Sequence, residues 1–179
     1  MDDYEIVASQ TLFGHPLVRI AKDTVEHGNR SASYYCLESP VDAISCVAVT
    51  GDGQIVLTRQ YRHAVREVIL DLPGGRMNGG ESPEQAAARE LEEETGFRAG
   101  RLELLCRYSP FPGWVRATMN IYLATDLART QQNLDDGEEL EVVILPVAEV
   151  LQMILRGEAI DASLQLGLLT AIQKGKVQL

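Results

Sequence analysis

Basic charge is in short supply in this chain. Lys and Arg number 16 against 26 Asp and Glu, a formal net charge of −10 over 179 residues. That deficit argues against nucleic acid or an anionic membrane as the main partner, since both need a cationic surface. It leaves room for an anionic small molecule, because a locally bound cation reverses the sign of one pocket. Cysteine is scarce as well: Cys36, Cys46 and Cys106 are scattered and form no CxxC pair. Such a set reads as reduced core thiols rather than a disulfide frame. His15, His27 and His63 lie outside metal-ligand spacing. No apolar run approaches membrane-spanning length. The opening MDDYEIVASQ lacks the apolar centre of a secretory signal, so the expected location is cytoplasmic. No internal repeat is visible.

What is present suits one globular domain with a small N-terminal extension. Hydrophobic residues make up 45% and charged residues 23% of the chain. From Tyr4 to about Glu38 the chain reads as three short strands, EIVASQTL, LVRIAKDTV and SASYYCL, with a hairpin tip over Glu26 to Arg30. AISCVAVT and QIVLTRQY follow as a strand pair, joined through Gly51-Asp52-Gly53. EVILDLP is a strand running into Gly74-Gly75. RLELLCRY, MNIYLATDL and LEVVIL are further strands, with the polar loop QQNLDDGEE before the last. Two C-terminal helices are expected over VAEVLQMILRG and DASLQLGLLTAIQKG, the second capped by Asp161 or Ser163. Strands, one helix, more strands and then helices imply an α+β chain with a mixed sheet and helices on its faces.

One helix is unmistakable. Ser82 is a good N-cap, Pro83 suits the first helical position and Gln85 completes a capping box. The helix is expected to end near Thr95, with Gly96 in the left-handed position just beyond. At 100° per residue, Ala87, Ala88, Leu91 and Thr95 form a stripe that can face a sheet. Gln85, Arg89 and Glu92 cluster elsewhere. Ala86, Glu90, Glu93 and Glu94 share a third face, with Cβ atoms about 5–6 Å apart. Like charges so close oppose folding, and a solvated acidic face is one reading of them. The other reading is that hard cations sit between them, since Mg²⁺ takes oxygen ligands and shares them with phosphates. Two metals about 3.5–4 Å apart would bridge such a cluster. Gly74-Gly75 at a strand end allows close backbone approach to an ion or phosphate, and Gly79-Gly80 lets the loop fold back.

Gly75, five residues, Glu81, seven residues, Arg89-Glu90-Leu91, one residue, Glu93-Glu94, one residue, Gly96-Phe97: this 23-residue pattern resembles the full Nudix box, every fixed position filled. The resemblance implies a Nudix α/β/α sandwich with the box as loop–helix–loop. Four further features resemble the ADP-ribose pyrophosphatase branch. They are Arg59-Gln60-Tyr61-Arg62, Asp71-Leu72-Pro73-Gly74-Gly75, the segment Tyr108 to Gly113, and the acidic run Asp136-Gly137-Glu138-Glu139 before LEVVIL. Pro112 stands 16 residues after Gly96, where this branch carries a proline.

What the resemblance implies is specific. Glu90 and Glu94 hold Mg²⁺ (Mn²⁺ is the other candidate), Glu93 assists, and the Gly74 carbonyl is a further ligand. Arg62 contacts the diphosphate of a nucleoside diphosphate sugar, with Arg59, Asp71 and Pro112 as further candidate substrate residues. Glu138 positions or deprotonates the attacking water, with Glu139, Asp136 and Glu93 as competitors for that role. Arg89 joins the catalytic set, though its main expected task, with Glu81, is holding the box loop in shape. Residues 1–40 are expected to be an N-terminal β extension that exchanges strands in a homodimer, and residues 41–179 the Nudix domain.

The sequence also departs from the branch. Asp71 stands for the usual Glu and Gly74 for Ala. An additional Phe-Pro precedes the glycine of the Pro110 segment. No N-terminal Trp is present to sandwich a base; Phe13, Tyr34 and Tyr35 are the available aromatics there. Trp114, the only Trp, is a candidate for base stacking, a dimer interface or plain packing. His63 reads as a surface residue. Four functions stay open: an ADP-ribose pyrophosphatase giving AMP and ribose 5-phosphate; a hydrolase of other nucleotide sugars such as ADP-glucose or GDP-mannose; a nucleotide-binding regulator without catalysis; and a nucleoside triphosphate-cleaning enzyme.

Overall fold

Turn chemistry sets the strand boundaries in the computed structural model, which describes residues 3–178. Met1, Asp2 and Leu179, the ends of the two expected domains, lie outside the described residues. The chain divides into two units, each described by itself: residues 1–42 with 108–119, and residues 43–107 with 120–179.

The first unit is a four-stranded sheet in the order β1-β2-β3-β8. Strands β1 (Tyr4–His15), β2 (Val18–His27) and β3 (Arg30–Glu38) form consecutive antiparallel pairs. Gly28 adopts φ 57°, the positive value that a two-residue hairpin loop demands, and His27 pairs with Arg30 across it. The short strand β8 (Val115–Arg116) lies parallel to β3, and the Leu37 N–H donates to the Trp114 carbonyl at 2.8 Å. Every residue of β1 is exposed.

The second unit is a six-stranded sheet. Its strands are β4 (Ala43–Val49), β5 (Gln54–Arg62), β6 (Glu67–Asp71), β7 (Phe97–Tyr108), β9 (Met119–Arg129) and β10 (Leu140–Pro146). The order is β10-β5-β4-β9-β7, and β6 pairs with the outer half of β5. Alternation along β4 sends Ile44, Cys46 and Ala48 into one core, with Ala86, Ala87 and Leu91 of helix α1 (Pro83–Thr95). The opposite face carries α3 (Ala162–Gln173). There Gly167 lies so close that a Cβ would sit 2.8 Å from Val47 Cγ2 and 3.0 Å from Ile121 Cγ2. Helix, sheet and helix make the α/β/α sandwich that the resemblance implied. Helix α2 (Val147–Leu155) follows β10, and Asp161 caps α3 by accepting from the Leu164 N–H at 2.7 Å.

The ends of α1 form as their local chemistry dictates. Ser82 and Gln85 complete the reciprocal capping box, and Gly96 closes the helix at φ 66°. One face differs from expectation. Ala86 is buried and Ala88 is exposed. The helical wheel set Ala88 on the covered stripe and Ala86 beside the acids, a choice that two alanines, with no apolar contrast between them, cannot correct; the sheet covers the Ala86 side.

Candidate active site

The site grows from the end of β6. Beyond Asp71 the backbone stays extended beside β4: the Cys46 N–H donates to the Pro73 carbonyl and the Ile44 N–H to the Gly75 carbonyl. Alternation turns Gly74 the other way. Its N–H donates to Glu94 Oε2 at 2.7 Å, and in an extended run its carbonyl is turned to that same side. Glycine is required at position 74, where the opposing atoms are backbone. A Cβ at Gly74 would lie 2.3 Å from the Ile44 carbonyl oxygen, and one at Gly75 would lie 2.5 Å from Glu90 Oε1. The strand end is therefore pressed between β4 and the carboxylates of α1.

Those carboxylates are unevenly buried. Glu94 is almost closed to solvent, and burial, reinforced by the negative charges of Glu90, Glu138 and Asp71, pushes its pKa up to about 8. Burial raises the Glu90 pKa as well, opposed by Arg89 and reinforced by Glu93 and Glu138. Cys46 lies behind this cluster; burial first, then Glu94 and Glu90, drives its thiol pKa far up, so it is no nucleophile.

Arg89 spends its guanidinium on its neighbours. Nε and Nη2 grip both oxygens of Glu81 at 2.9 and 3.0 Å, and Nη2 also donates to the Arg76 carbonyl at 3.2 Å. Nη1 meets Glu93 Oε2 at 3.0 Å and Glu90 Oε1 at 2.9 Å. Glu81 in turn accepts from the Asn78 N–H at 2.9 Å, and its bond to Arg89 lowers its pKa. This fork ties the 76–81 loop to the helix. Among the described residues, no three His, Cys, Asp or Glu side chains gather at metal-binding spacing. Glu90 and Glu93 rest on Arg89, and Glu94 rests on Gly74. The donor set still suits a hard cation: carboxylate oxygens and the strand-end Gly74 carbonyl, crowded enough that their own charges oppose ionisation.

Arg62 and Arg59 part company. Regular pairing of β5 with β6 puts Thr58, Gln60 and Arg62 on one face and Arg59 on the other. Arg62 is bonded to Asp71 through Nε at 2.8 Å and through Nη2. Arg59 pairs instead with Glu141 at 3.2 Å on an exposed strand surface. Glu138 sits in the loop before β10, its carboxylate accepting from the Asp135 N–H at 3.1 Å. Its charge reaches Glu90 and Glu94, where it adds a smaller upward push to that of burial.

Residues 39–164 match the NUDIX domain family. The chain belongs to the Nudix family. As a Nudix hydrolase it is similar to an ADP-ribose pyrophosphatase of Bacillus subtilis strain 168, 30% identical over 158 residues that span 87% of this chain and 85% of the relative. It is also similar to a methanol dehydrogenase activator of Bacillus methanolicus, 29% identical over the same shares of each chain. A solved structure described as the crystal structure of ADP compounds hydrolase superposes with a TM-score of 0.86 at 26% identity, covering 99% of this chain and 98% of that one.

In this Nudix enzyme, then, the second unit brings Gly74, Glu90, Glu93, Glu94, Arg89, Arg62, Asp71 and Glu138 into one connected neighbourhood. Arg59 falls outside it. Pro112 belongs to the first unit, where it lines a concavity of about 470 Å³ with Trp114, Cys36, Ser39 and Asp42. Sequence reasoning missed two contributors. Gln132 Nε2 donates to the Glu94 carbonyl at 2.7 Å, and the Asn133 N–H donates to the Glu93 carbonyl at 2.9 Å. These bonds fasten the Glu138 loop to the last turn of α1. The only local signals were an amide-rich run, Gln131-Gln132-Asn133, just after β9, and a helix α1 with no basic residue in its last turn.

Proposed function

We propose that the chain hydrolyses the diphosphate bond of ADP-ribose or a related nucleoside diphosphate sugar, giving a nucleoside monophosphate and a sugar phosphate, with Mg²⁺ as cofactor. The observation that carries this reading is the buried Glu94 carboxylate, bonded to the strand-end Gly74 N–H and crowded by Glu90 and Glu138. The sequence resemblance and the ADP-ribose pyrophosphatase relative add support.

Glu90, Glu94 and the Gly74 carbonyl would hold the metal, with Glu93 assisting. Bound there, Mg²⁺ supplies Lewis-acid neutralisation of phosphate charge and lowers the pKa of water. The remaining work falls to the chain's own side chains. Arg62 contacts a phosphate oxygen with its unbonded edge. Glu138 takes a proton from the attacking water as its oxygen bonds to phosphorus. The bridging P–O bond breaks, and the leaving phosphate keeps the electron pair and is protonated from solvent. Arg89 and Glu81 keep the box loop seated. Arg59, remote on the other strand face, takes a charge-balancing role with Glu141.

The deciding experiment is turnover on ADP-ribose, ADP-glucose and GDP-mannose with Mg²⁺ or Mn²⁺, with products identified. ADP-ribose is expected to be cut fastest. Much faster cleavage of a hexose conjugate would replace ADP-ribose as substrate, and binding without any turnover would favour a regulator.

A homodimer through the N-terminal strands belongs to the same reading. Strand β1 is an edge strand with Ile6, Val7, Leu12 and Phe13 all exposed, a surface that isolated proteins blunt or cover. Light scattering should give twice the chain mass.

A further inference from the structure

Asp71 is closed to solvent, with 4% of its side chain exposed, yet it forms an ion pair with Arg62. Strand register explains how. Thr58, Gln60 and Arg62 are alternate residues on one face of β5, and Asp71 stands directly across from Thr58. Three donors therefore converge on one carboxylate. Oδ1 accepts from Thr58 Oγ1 at 2.6 Å and from Gln60 Nε2 at 3.2 Å. Oδ2 accepts from Arg62 Nε at 2.8 Å, from Arg62 Nη2, and more weakly from Gln60 at 3.4 Å. Nothing remains of this carboxylate for a ligand.

Arg62 is complementary. A guanidinium carries five N–H donors in a planar fork. The Nε/Nη2 edge is used, while Nη1 has no hydrogen-bond partner among the described residues, though the charge also reaches Asp161, and the side chain is 45% exposed. One edge is clamped and the other faces out.

We infer that Asp71, held by Thr58 and Gln60, is a positioning residue that presets Arg62 for the substrate diphosphate and never touches substrate itself. The inference rests on the function proposed above. A free arginine has much rotamer freedom to lose on binding, and a clamped one has lost it already. The carboxylate also weakens the pull of Arg62 on an anion, but water screens that penalty at the exposed edge. The acid's length belongs to the device. One more methylene would carry the carboxylate about 1.5 Å farther, into the space of Thr58 Oγ1, so glutamate is a poor substitute in this chain.

The test is a double-mutant cycle with steady-state kinetics on ADP-ribose. Asp71→Asn should raise KM about tenfold with kcat nearly unchanged, and Asp71→Glu should not restore it. In an Arg62→Ala background, Asp71→Asn should add almost nothing. An equal KM increase in both backgrounds would overturn the inference. A second readout needs no turnover: the Arg62 Nε–H resonance in ¹H–¹⁵N spectra should exchange slowly in the parent protein and be lost in Asp71→Asn. Persistence of that resonance would also overturn it. If no nucleotide sugar is cut but the resonance behaves as expected, the substrate reading fails and the clamp stands. Should Asp71→Asn not fold, Thr58→Val serves in its place. A smaller KM increase that vanishes beside Arg62→Ala supports the clamp, and an unchanged KM refutes it.

Discussion

Glu94 accepts a hydrogen bond from the Gly74 backbone N–H at 2.7 Å, which joins the C-terminal end of the acidic helix face to the end of a β-strand. The bond favours the ionised carboxylate, while burial and three neighbouring acids oppose it, and the opposition wins. A cation at this point would relieve the conflict.

Glu94→Gln separates chemistry from folding. The amide oxygen can still accept from Gly74, so the fold should persist by circular dichroism. Turnover should fall at least about 10²-fold, because the proposed metal ligand is lost. Unchanged turnover would remove Glu94 from the site.

Stability should depend on pH through the same residue. The Glu94 pKa rises from 4.5 to about 8 on folding, so the folded state holds a proton that the unfolded state has released. That contribution is fully present below about pH 4.5 and is lost as pH rises through about 8. Thermal unfolding of metal-free protein should therefore show a Tm that declines across this window. In Glu94→Gln the decline should be smaller, and the variant should be the more stable protein at pH 8. A parallel decline in both proteins would mean that other groups govern it.

Gly74→Ala should be far worse than a one-carbon change suggests. The new Cβ would stand 2.3 Å from a β4 carbonyl oxygen, backbone against backbone, with no flexible tip to yield. A loss of about 2 kcal/mol or more in urea unfolding is expected. Wild-type stability would mean that β4 and the strand end separate easily.

Glu138→Gln should lower kcat with little change in KM, the pattern of an interaction made only in the transition state. A rise in KM alone would make Glu138 a binding residue and pass the proton to another acid.

Where function was legible in the sequence, the chemistry was local. Ser82, Gln85 and Gly96 announce the ends of α1 because caps are written within a few residues. Glu90, Glu93 and Glu94 announce themselves because helical spacing forces like charges together. Arg59 and Arg62 could have been separated by parity alone, since three residues along a strand reverse the face. Strand β8 was not legible: two residues held to β3 by backbone bonds leave no side-chain period. Nor were Gln132 and Asn133, whose partners are carbonyls on a helix 38 residues away for Gln132. The burial of Ala86 instead of Ala88 was not legible either, because an alanine pair carries no apolar contrast.

The bonds from Gln132 and Asn133 to the end of α1 fix the root of a short arm whose tip is Glu138. Four residues separate Asn133 from that tip, about 17 Å of chain at full stretch. Glycine at position 137, with φ 89°, supplies a joint just before the tip. Two residues beyond the tip, Leu140 is already paired with Gln60 of β5, so the acid hangs between a helix anchor and a strand anchor, and its place beside the acidic ridge depends on both.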